Sequence, residues 1–404
     1  MRSWPYPDIP RLPADGGVVQ ILDSRTGVRT PVAPGADTAR VYACGITPYD
    51  ATHLGHAATY LAVDLLNRAL LDNGHRVAFV QNVTDVDDPL LERADATGAD
   101  WRELAVDQTD LFRADMAALR IIPPDPYLGV VESMDVILGY LKQLHATGRL
   151  YQVDDPSYPD WYCDMTAVDL AGLSPAQALA TFAERGGDPD RPGKRNPLDC
   201  LVWRMARPSE PAWESHLGTG RPGWHIECTA IAVSNLGAAF DVQAGGSDLA
   251  FPHHPMCAAE ATALTGQPFA KSYLHTGMVG LDGEKMSKSL GNLVFVSSLL
   301  TQGFDPMAIR LALLSHHYRT DWEFSYAELD AAQHRLATWR AALDAPAGPS
   351  AAALLAGVRA ALRDDLDAPR ALLLIDNWVD EAATGDPQAP TQVAAVLDAL
   401  LGVR

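Results

Sequence analysis

A strand, a helix and a second strand in close succession constrain this chain more than any other feature in it. Arg40-Val41-Tyr42-Ala43-Cys44-Gly45 reads as a short strand ending in glycine, and residues 77–83 read as the next strand. Between them a helix is expected over about 56–73, where Tyr60, Val63, Leu66 and Leu70 recur at 3-3-4 spacing. Strand, helix and strand make a β-α-β unit, which points to a parallel sheet in an α/β fold. Open sheets of that kind hold their ligands at the carboxyl ends of the strands. Thr52-His53-Leu54-Gly55-His56 falls at that end of the first strand.

The residue types in that run suit a triphosphate. His53 and His56 are three apart at a helix start, placed to donate to phosphate oxygens beside the helix's own free N–H groups. Gly55 leaves room for a nucleotide against the backbone. A second run, Lys285-Met286-Ser287-Lys288-Ser289, follows Leu281-Asp282-Gly283-Glu284 and reads as a loop able to close over a nucleotide. Taken singly, a histidine-capped helix or a solvated lysine turn accounts for either run. Together and in this order they can hold a triphosphate while a carboxylate attacks its α-phosphorus, because negative charge builds on the departing pyrophosphate. Gly245-Gly246-Ser247-Asp248 adds a glycine-rich strand end whose aspartate can take a ribose hydroxyl pair.

The 404 residues allow two to three domains, and 48% hydrophobic content suits a globular protein. No basic segment followed by an apolar stretch opens the chain, and no run approaches the ~18 apolar residues a membrane helix requires. A cytoplasmic location is therefore expected. Acidic residues outnumber Lys plus Arg by 51 to 31, for a formal charge of −20. That balance argues against a protein whose main task is gripping a polyanion, although a local basic face can sit within an acidic total.

Residues 18–22 and 28–32 predict an N-terminal hairpin around Ser24-Arg25-Thr26-Gly27. Helices are expected over 101–119 and 130–144, and residues 156–222 read as a loop-rich insertion containing Glu184-Arg185-Gly186-Gly187-Asp188-Pro189. Alternation resumes with a strand at Phe240-Asp241-Val242-Gln243 and a helix introduced by Phe251-Pro252. From Pro306 onward the pattern reads helical: Leu329, Ala332, Leu336, Trp339 and Leu343 recur at 3-4-3-4 spacing, and Leu355, Val358, Leu362 and Leu366 at 3-4-4.

Cys44, Cys163, Cys200, Cys228 and Cys257 include no C-x-x-C pair, so any metal site must be assembled from distant segments. His253 and Cys257 would share one face of a helix. Spacing alone makes scattered cysteines small core residues rather than ligands.

The two runs resemble the HIGH and KMSKS signatures of the class I aminoacyl-tRNA synthetases. Cys44-Gly45-Ile46-Thr47-Pro48-Tyr49-Asp50, Asn82-Val83-Thr84-Asp85-Val86-Asp87-Asp88, Arg221-Pro222-Gly223-Trp224-His225-Ile226-Glu227-Cys228 and Phe251-Pro252-His253-His254 are similar to segments of the cysteinyl-tRNA synthetases. Ser3-Trp4 with its prolines, the stretch from Gly45 through Thr59 and Glu184-Arg185-Gly186-Gly187-Asp188-Pro189 resemble a branch of that superfamily, the mycothiol cysteine ligases.

The resemblance implies a Rossmann-like (HUP-type) parallel-sheet catalytic domain over residues 1–300, with an insertion at about 115–222. A connecting segment and α-helical bundle would follow over 301–404, without an anticodon-binding domain. It implies catalytic roles for His53, His56, Lys285 and Lys288. Contacts to adenylate and substrate would come from Cys44, Gly45, Ile46, Thr47, Thr59, Asn82, Val83, Thr84, Trp224, Gly246, Ser247, Asp248 and Val279. Cys44, Cys228 and His253 would hold one Zn2+ that takes the substrate thiol. The synthetases carry a glutamate four residues after the zinc histidine, and this chain has Cys257 there. Either Cys257 completes a three-sulfur site, or it is a small core residue and three protein ligands leave a position for the thiol; the second is favoured.

The implied first step joins L-cysteine and ATP, with Mg2+, into cysteinyl-adenylate. The acceptor is then either tRNA or the amine of glucosaminyl-inositol. The chain's stop at Arg404 soon after the last helix, the absence of a dense Lys/Arg cluster from Pro306 onward and the acidic total favour the amino-sugar. No tRNA partner and no membrane partner are expected, and a monomer is. A non-catalytic nucleotide-binding relative would be expected to have lost its signature histidines and lysines, which are all present here.

Overall fold

The computed structural model describes residues 1–50, 52–281, 283–286, 291–381 and 384–404, with the backbone alone for Lys285. The expected hairpin forms as β1 (Gln20–Asp23) and β2 (Val28–Pro31), and the β-α-β unit as β3 (Thr38–Ala43), α1 (Leu54–Asp72) and β4 (Arg76–Val83). Next come α2 (Asp88–Thr97), α3 (Trp101–Ala118), β5 (Tyr127–Gly129) and α4 (Met134–Ala146). The inserted segment carries β6 (Leu150–Gln152), β7 (Trp161–Cys163), α5 (Pro175–Glu184), β8 (Cys200–Met205) and β9 (Gly220–Pro222). Then follow α6 (Trp224–Leu236), β10 (Phe240–Gly246), α7 (His253–Thr265) and β11 (Ala270–Thr276).

The main sheet has five strands in the order β11-β10-β3-β4-β5, all parallel. Helices cover both faces, so its strands are apolar runs rather than alternating ones: Val41, Tyr42 and Ala43 are all buried. The chain order reverses beside β3, with β10 on one side and β4 on the other. That switch point opens a crevice at the strand ends, where Cys44 and His53 follow β3.

Two expectations need correction. The segment 156–222 is loop-rich as expected, with most of its residues outside helices and strands, but it also carries β7, β8 and β9, which with the preceding β6 form an antiparallel four-stranded sheet. Three of these strands have only three residues each, too short for an alternation to register between prolines and glycines. In addition, β5 pairs with β4 in the main sheet, although it falls within the 115–222 expected to be inserted. Its three residues follow Pro123, Pro124 and Pro126, which mask it as a turn.

The remaining chain adds β12 (Val279–Leu281), β13 (Glu284–Lys285), α8 (Val296–Thr301), α9 (Pro306–Leu314), β14 (Trp322–Glu323) and α10 (Tyr326–Leu343). It closes with α11 (Ala351–Arg363), α12 (Ala368–Asp380) and α13 (Ala389–Val396). The region after Pro306 is not wholly helical, because β14 pairs with β12 beside the lysine run. Leu366 lies past the end of α11 with φ at 54°, not on the helix.

The 3-3-4 stripe on α1 also understates its burial. Every residue from Tyr60 to Leu70 is buried, because α1 lies between the sheet and the C-terminal helices. Asp64 and Arg68 pair there at 2.7 Å, and Arg310 of α9 closes on Asp64. The other guanidinium donors meet the carbonyls of Leu119 (2.7 Å) and Asp398 (2.8 Å), so few buried polar groups in this triad go unmatched. The cluster fixes the helix that begins at His53 against the end of the chain. No helix among the described residues is long and apolar enough to cross a membrane.

Candidate active site and metal centre

His53 is the N-cap of α1, in extended backbone at φ −82° and ψ 167°, and its Nδ1 accepts from the Gly55 N–H at 3.1 Å. A β-carbon on Gly55 would fall 2.9 Å from the His53 ring, so this glycine makes room for the histidine as well as for a ligand. The His56 ring lies over His53 with centroids 3.9 Å apart. Burial lowers its imidazole pKa to about 4, which leaves it neutral near pH 7. Thr59, one turn on, bonds the Gly55 carbonyl at 3.1 Å and the Thr276 hydroxyl at 2.7 Å. The chain returning from the lysine run is tied to the same place: Leu54 N donates to Val294 O at 2.9 Å and Val296 N to Thr52 O at 3.0 Å.

Cys44 and Gly45 lie just beyond β3, where Asn82 braces them. The Asn82 Oδ1 accepts from Gly45 N at 2.8 Å and from the Tyr42 hydroxyl at 2.9 Å. A β-carbon on Gly45 would sit 1.6 Å from the Asn82 carbonyl oxygen, so only glycine permits this approach. Ile46 O accepts from Thr84 N at 3.0 Å. Asn82, Val83 and Thr84 are buried and support this turn from behind.

The cysteines separate into two groups. The ligand atoms of Cys44, Cys228 and His253 lie within 4.8 Å of one another, brought together from the end of β3, from α6 and from the first turn of α7. All three residues are buried. A hydrogen bond from Cys44 pulls the Cys228 thiol well below the ordinary cysteine range, assisted by His253 and against its burial. Burial, then Cys228, pushes Cys44 up. A divalent cation between them would let both sulfurs ionise. Two thiols and an imidazole at this separation fit a zinc-type ion.

Cys257 is not in that group; it clusters with His225 and His253. Its thiol donates to the His225 carbonyl at 3.4 Å and lies 3.7 Å from His253 Nε2. Around the Cys44–Cys228–His253 cluster, Gln243 donates to Cys44 Sγ at 3.1 Å, and His225 and His253 meet through their Nδ1 atoms at 3.0 Å. The Trp224 ring stacks on His253, with centroids 4.2 Å apart.

These residues surround a cleft of about 760 Å³. Of the expected site residues, Cys44, Gly45, Ile46, Thr47, His53, His56, Thr59, Trp224, Gly246, Asp248 and Val279 line it. Cys228 and His253 are buried beside it, and Ser247 opens the short turn that carries Asp248. The backbone of Lys285 lies on β13, paired with β12; Lys288 lies outside the described residues. Met286, next to Lys285, lines the cleft. Reasoning from sequence gave no role to Asp87, Arg204, His225 or the charged pair Glu184 and Arg185, all of which line the cleft. Asp87, Glu184, Arg185 and His225 fall within the segments that carry the family resemblance, which was their only signal.

A family model described as "tRNA synthetases class I (C) catalytic domain" matches residues 32–334. The chain is 58% identical over 413 residues to a protein of Thermomonospora curvata named L-cysteine:1D-myo-inositol 2-amino-2-deoxy-alpha-D-glucopyranoside ligase, with 100% of both chains covered. It is 58% identical over 407 residues to a protein of the same name from Nocardiopsis dassonvillei, again with both chains covered at 100%. Among solved structures it resembles Mycobacterium tuberculosis methionyl-tRNA synthetase bound by methionyl-adenylate, with a TM-score of 0.64 and 16% identity over 90% of this chain and 92% of that one. An Agrobacterium radiobacter LeuRS in a ternary complex with tRNA also has a TM-score of 0.64, at 12% identity, covering 91% of this chain and 83% of the other. At those identities the structural likeness speaks for the fold.

Proposed function

Because this chain belongs to the class I (C) tRNA synthetase catalytic-domain family, and within it to the L-cysteine:1D-myo-inositol 2-amino-2-deoxy-alpha-D-glucopyranoside ligases, we propose that it joins L-cysteine to the amine of glucosaminyl-inositol at the expense of ATP. The observation that carries this reading is the shared position of Cys44: it lines the cleft with His53 and His56, and its sulfur meets Cys228 and His253. A thiol-selective site therefore adjoins a phosphate-handling one.

In the first step the cysteine carboxylate attacks the α-phosphorus of ATP, forming a P–O bond while the bond to pyrophosphate breaks and pyrophosphate leaves; Mg2+ on the triphosphate would supply further positive charge. His53 and His56 donate to the phosphates, joined by the helix N–H groups and by Lys285 and Lys288. Neutral His56 serves as a hydrogen-bond donor rather than as a cation. Gly246, Ser247, Asp248, Thr59 and Val279 hold the nucleotide; Gly45, Ile46, Thr47 and Trp224 hold the cysteine, with Asn82, Val83 and Thr84 bracing them.

Cys44, Cys228 and His253 would hold one zinc ion, and when bound it supplies a soft Lewis acid that prefers a substrate thiolate to a serine hydroxyl. Cys257 stays a core thiol in this reading. In the second step the uncharged amine attacks the adenylate carbonyl: a C–N bond forms, the C–O bond to AMP breaks, and the nitrogen loses its extra proton. The catalytic domain spans 1–300 and the helical part 301–404. The enzyme acts as a cytoplasmic monomer on small substrates, without tRNA.

Purified protein supplied with ATP, cysteine and either glucosaminyl-inositol or tRNA tests this directly. The cysteinyl amide of the sugar should form. Acylation of tRNA but not of the sugar would overturn the choice of acceptor. Cysteine-dependent ATP–pyrophosphate exchange should also appear and be lost in Lys285→Ala.

A further inference from the structure

The inserted subdomain sends one loop into the cleft, and it is held there rigidly. The loop starts from the last residue of α5, Glu184: this residue, Arg185, Gly186, Gly187 and Asp188 all line the cleft. Arg185 donates through one guanidinium nitrogen to the carbonyls of both Asp248 and Phe251, on the opposite wall between Gly246 and the ligand helix α7. Gly186 turns the chain at φ +84°, and Gly187 lies on the Phe182 ring so closely that a β-carbon would come within 2.5 Å of it. Asp188 is held by Lys194 at 3.0 Å and by the Tyr162 hydroxyl. Arg185 is thus held by main-chain carbonyls, and the exposed Glu184 carboxylate beside it makes no ion pair among the described residues.

The rest of the charge in this wall points to the same ligand. Arg204 bonds Glu210 at 3.3 Å, and Arg221 bonds Glu210 at 3.1 Å and also Asp88. Arg185 is engaged by two carbonyls. Among the described residues the lining arginines are thus all matched internally, and the wall offers no uncommitted guanidinium to a phosphodiester. It does offer the exposed Glu184 carboxylate next to the braced loop, with Glu92 and Asp248 also in the lining, and carboxylates suit a cation. Preorganisation of this kind lowers the ordering cost of binding.

We infer that the Glu184–Asp188 loop, latched by Arg185, forms the acceptor subsite, and that the Glu184 carboxylate receives the acceptor's ammonium group before the amine is released for attack. This rests on the function proposed above and extends it to the residues that select the acceptor. Arg185 is a positioning residue, acting by fixing the loop against the wall that carries Asp248. The subsite takes a cationic, hydroxyl-rich amine.

The test compares KM values in the full enzyme with ATP, cysteine and glucosaminyl-inositol. Glu184→Gln should raise KM for the amino-sugar by up to about fivefold more than KM for cysteine, the upper size expected of one solvent-exposed ion pair, and Glu184→Lys should raise it further. The N-acetylated analogue, which has no ammonium, should inhibit wild type and Glu184→Gln with similar constants. Arg185→Lys keeps the charge but cannot reach both carbonyls, so it should raise the acceptor KM with a smaller effect on kcat. An acceptor KM unchanged in both Glu184 variants overturns the inference. If wild type instead performs cysteine-dependent exchange but ligates no glucosaminyl-inositol, the functional reading itself fails, whatever the variants do.

Discussion

Trp224 lies face to face with His253, ring centroids 4.2 Å apart and planes 28° from parallel. Both are first residues of their helices, α6 and α7. The stack fixes the plane of an imidazole with a ring nitrogen within 4.8 Å of the thiols of Cys44 and Cys228, and that nitrogen would have to aim at a metal held among them. Outer partners that orient a ligand histidine commonly matter 10–100-fold in metal affinity. Trp224→Ala should therefore weaken zinc binding by roughly tenfold, measured by competition with a chromophoric chelator. Trp224→Phe, which keeps a ring for stacking, should recover most of it. Equal zinc affinity in wild type and Trp224→Ala would refute the orienting role.

Two groupings of metal-type side chains share His253, and they predict different sulfur counts. If Cys44 and Cys228 are the thiolate ligands, Cys44→Ser and Cys228→Ser each lose zinc and cysteine-dependent exchange. Cys257→Ala should retain stoichiometric zinc, because its thiol is directed to the His225 carbonyl at 3.4 Å. Zinc-edge absorption of that variant should show the same sulfur number as wild type. A drop by one would make Cys257 a ligand. Chelation of the wild-type metal should abolish exchange, with restoration on adding zinc.

The fold was legible where the chemistry is local. Spacing alone put a histidine pair at a strand end, since His53, Gly55 and His56 lie within one turn of α1. The metal-type cluster was not readable in that way, because Cys44, Cys228 and His253 come from three segments joined only by the sheet's crossover order. Family likeness supplied what spacing could not. The role of Glu184 and Arg185 was hidden for a different reason. The partners of Arg185, the carbonyls of Asp248 and Phe251, are main-chain atoms with no side-chain signature, and Glu184 has no partner among the described residues. The antiparallel sheet β6–β9 was missed because short strands carry almost no period.

Gly45 makes the least forgiving contact in the cleft. A β-carbon there would overlap the backbone oxygen of Asn82 at 1.6 Å, and no rotamer change relieves a clash with backbone. Gly45→Ala must push β3 and β4 apart at their ends, moving Cys44 with them. Overpacking of this kind costs about 1–3 kcal/mol. The variant should unfold at lower urea and show exchange reduced far beyond what its folded fraction explains. Normal exchange in a folded Gly45→Ala protein would show that this approach is not needed for activity.

His56 should leave a mark on acid stability. Burial lowers its pKa from 6.5 to about 4, so between those values the unfolded chain binds a proton that the native one does not. Stability then rises with pH across that window and is lost as pH falls through it. His56→Gln should flatten the slope between about pH 6.5 and about pH 4 in urea titrations, relative to wild type. Parallel slopes would mean that His56 titrates normally in the folded protein.

Glu260 provides the opposite sign. It is fully buried on α7, where its carboxyl accepts from the Thr229 hydroxyl at 2.7 Å and from the Cys200 thiol at 3.5 Å. Burial raises its pKa from 4.5 to about 8, against the pull of those two donors. Between these values the native state holds a proton that the unfolded state has released, so this group's contribution to stability is complete below pH 4.5 and declines as pH rises towards about 8. Glu260→Gln replaces the neutral acid with a neutral group of the same shape. Its stability should match wild type near pH 4.5 and exceed it near pH 8, with the difference growing steadily through the window. Glu260→Ala lacks the acceptor and leaves the Cys200 thiol unmatched and a cavity behind, so it should be less stable than Glu260→Gln at every pH. Denaturant melts of the three proteins across that range decide the matter. A constant gap between wild type and Glu260→Gln would show that Glu260 does not hold its proton at neutral pH.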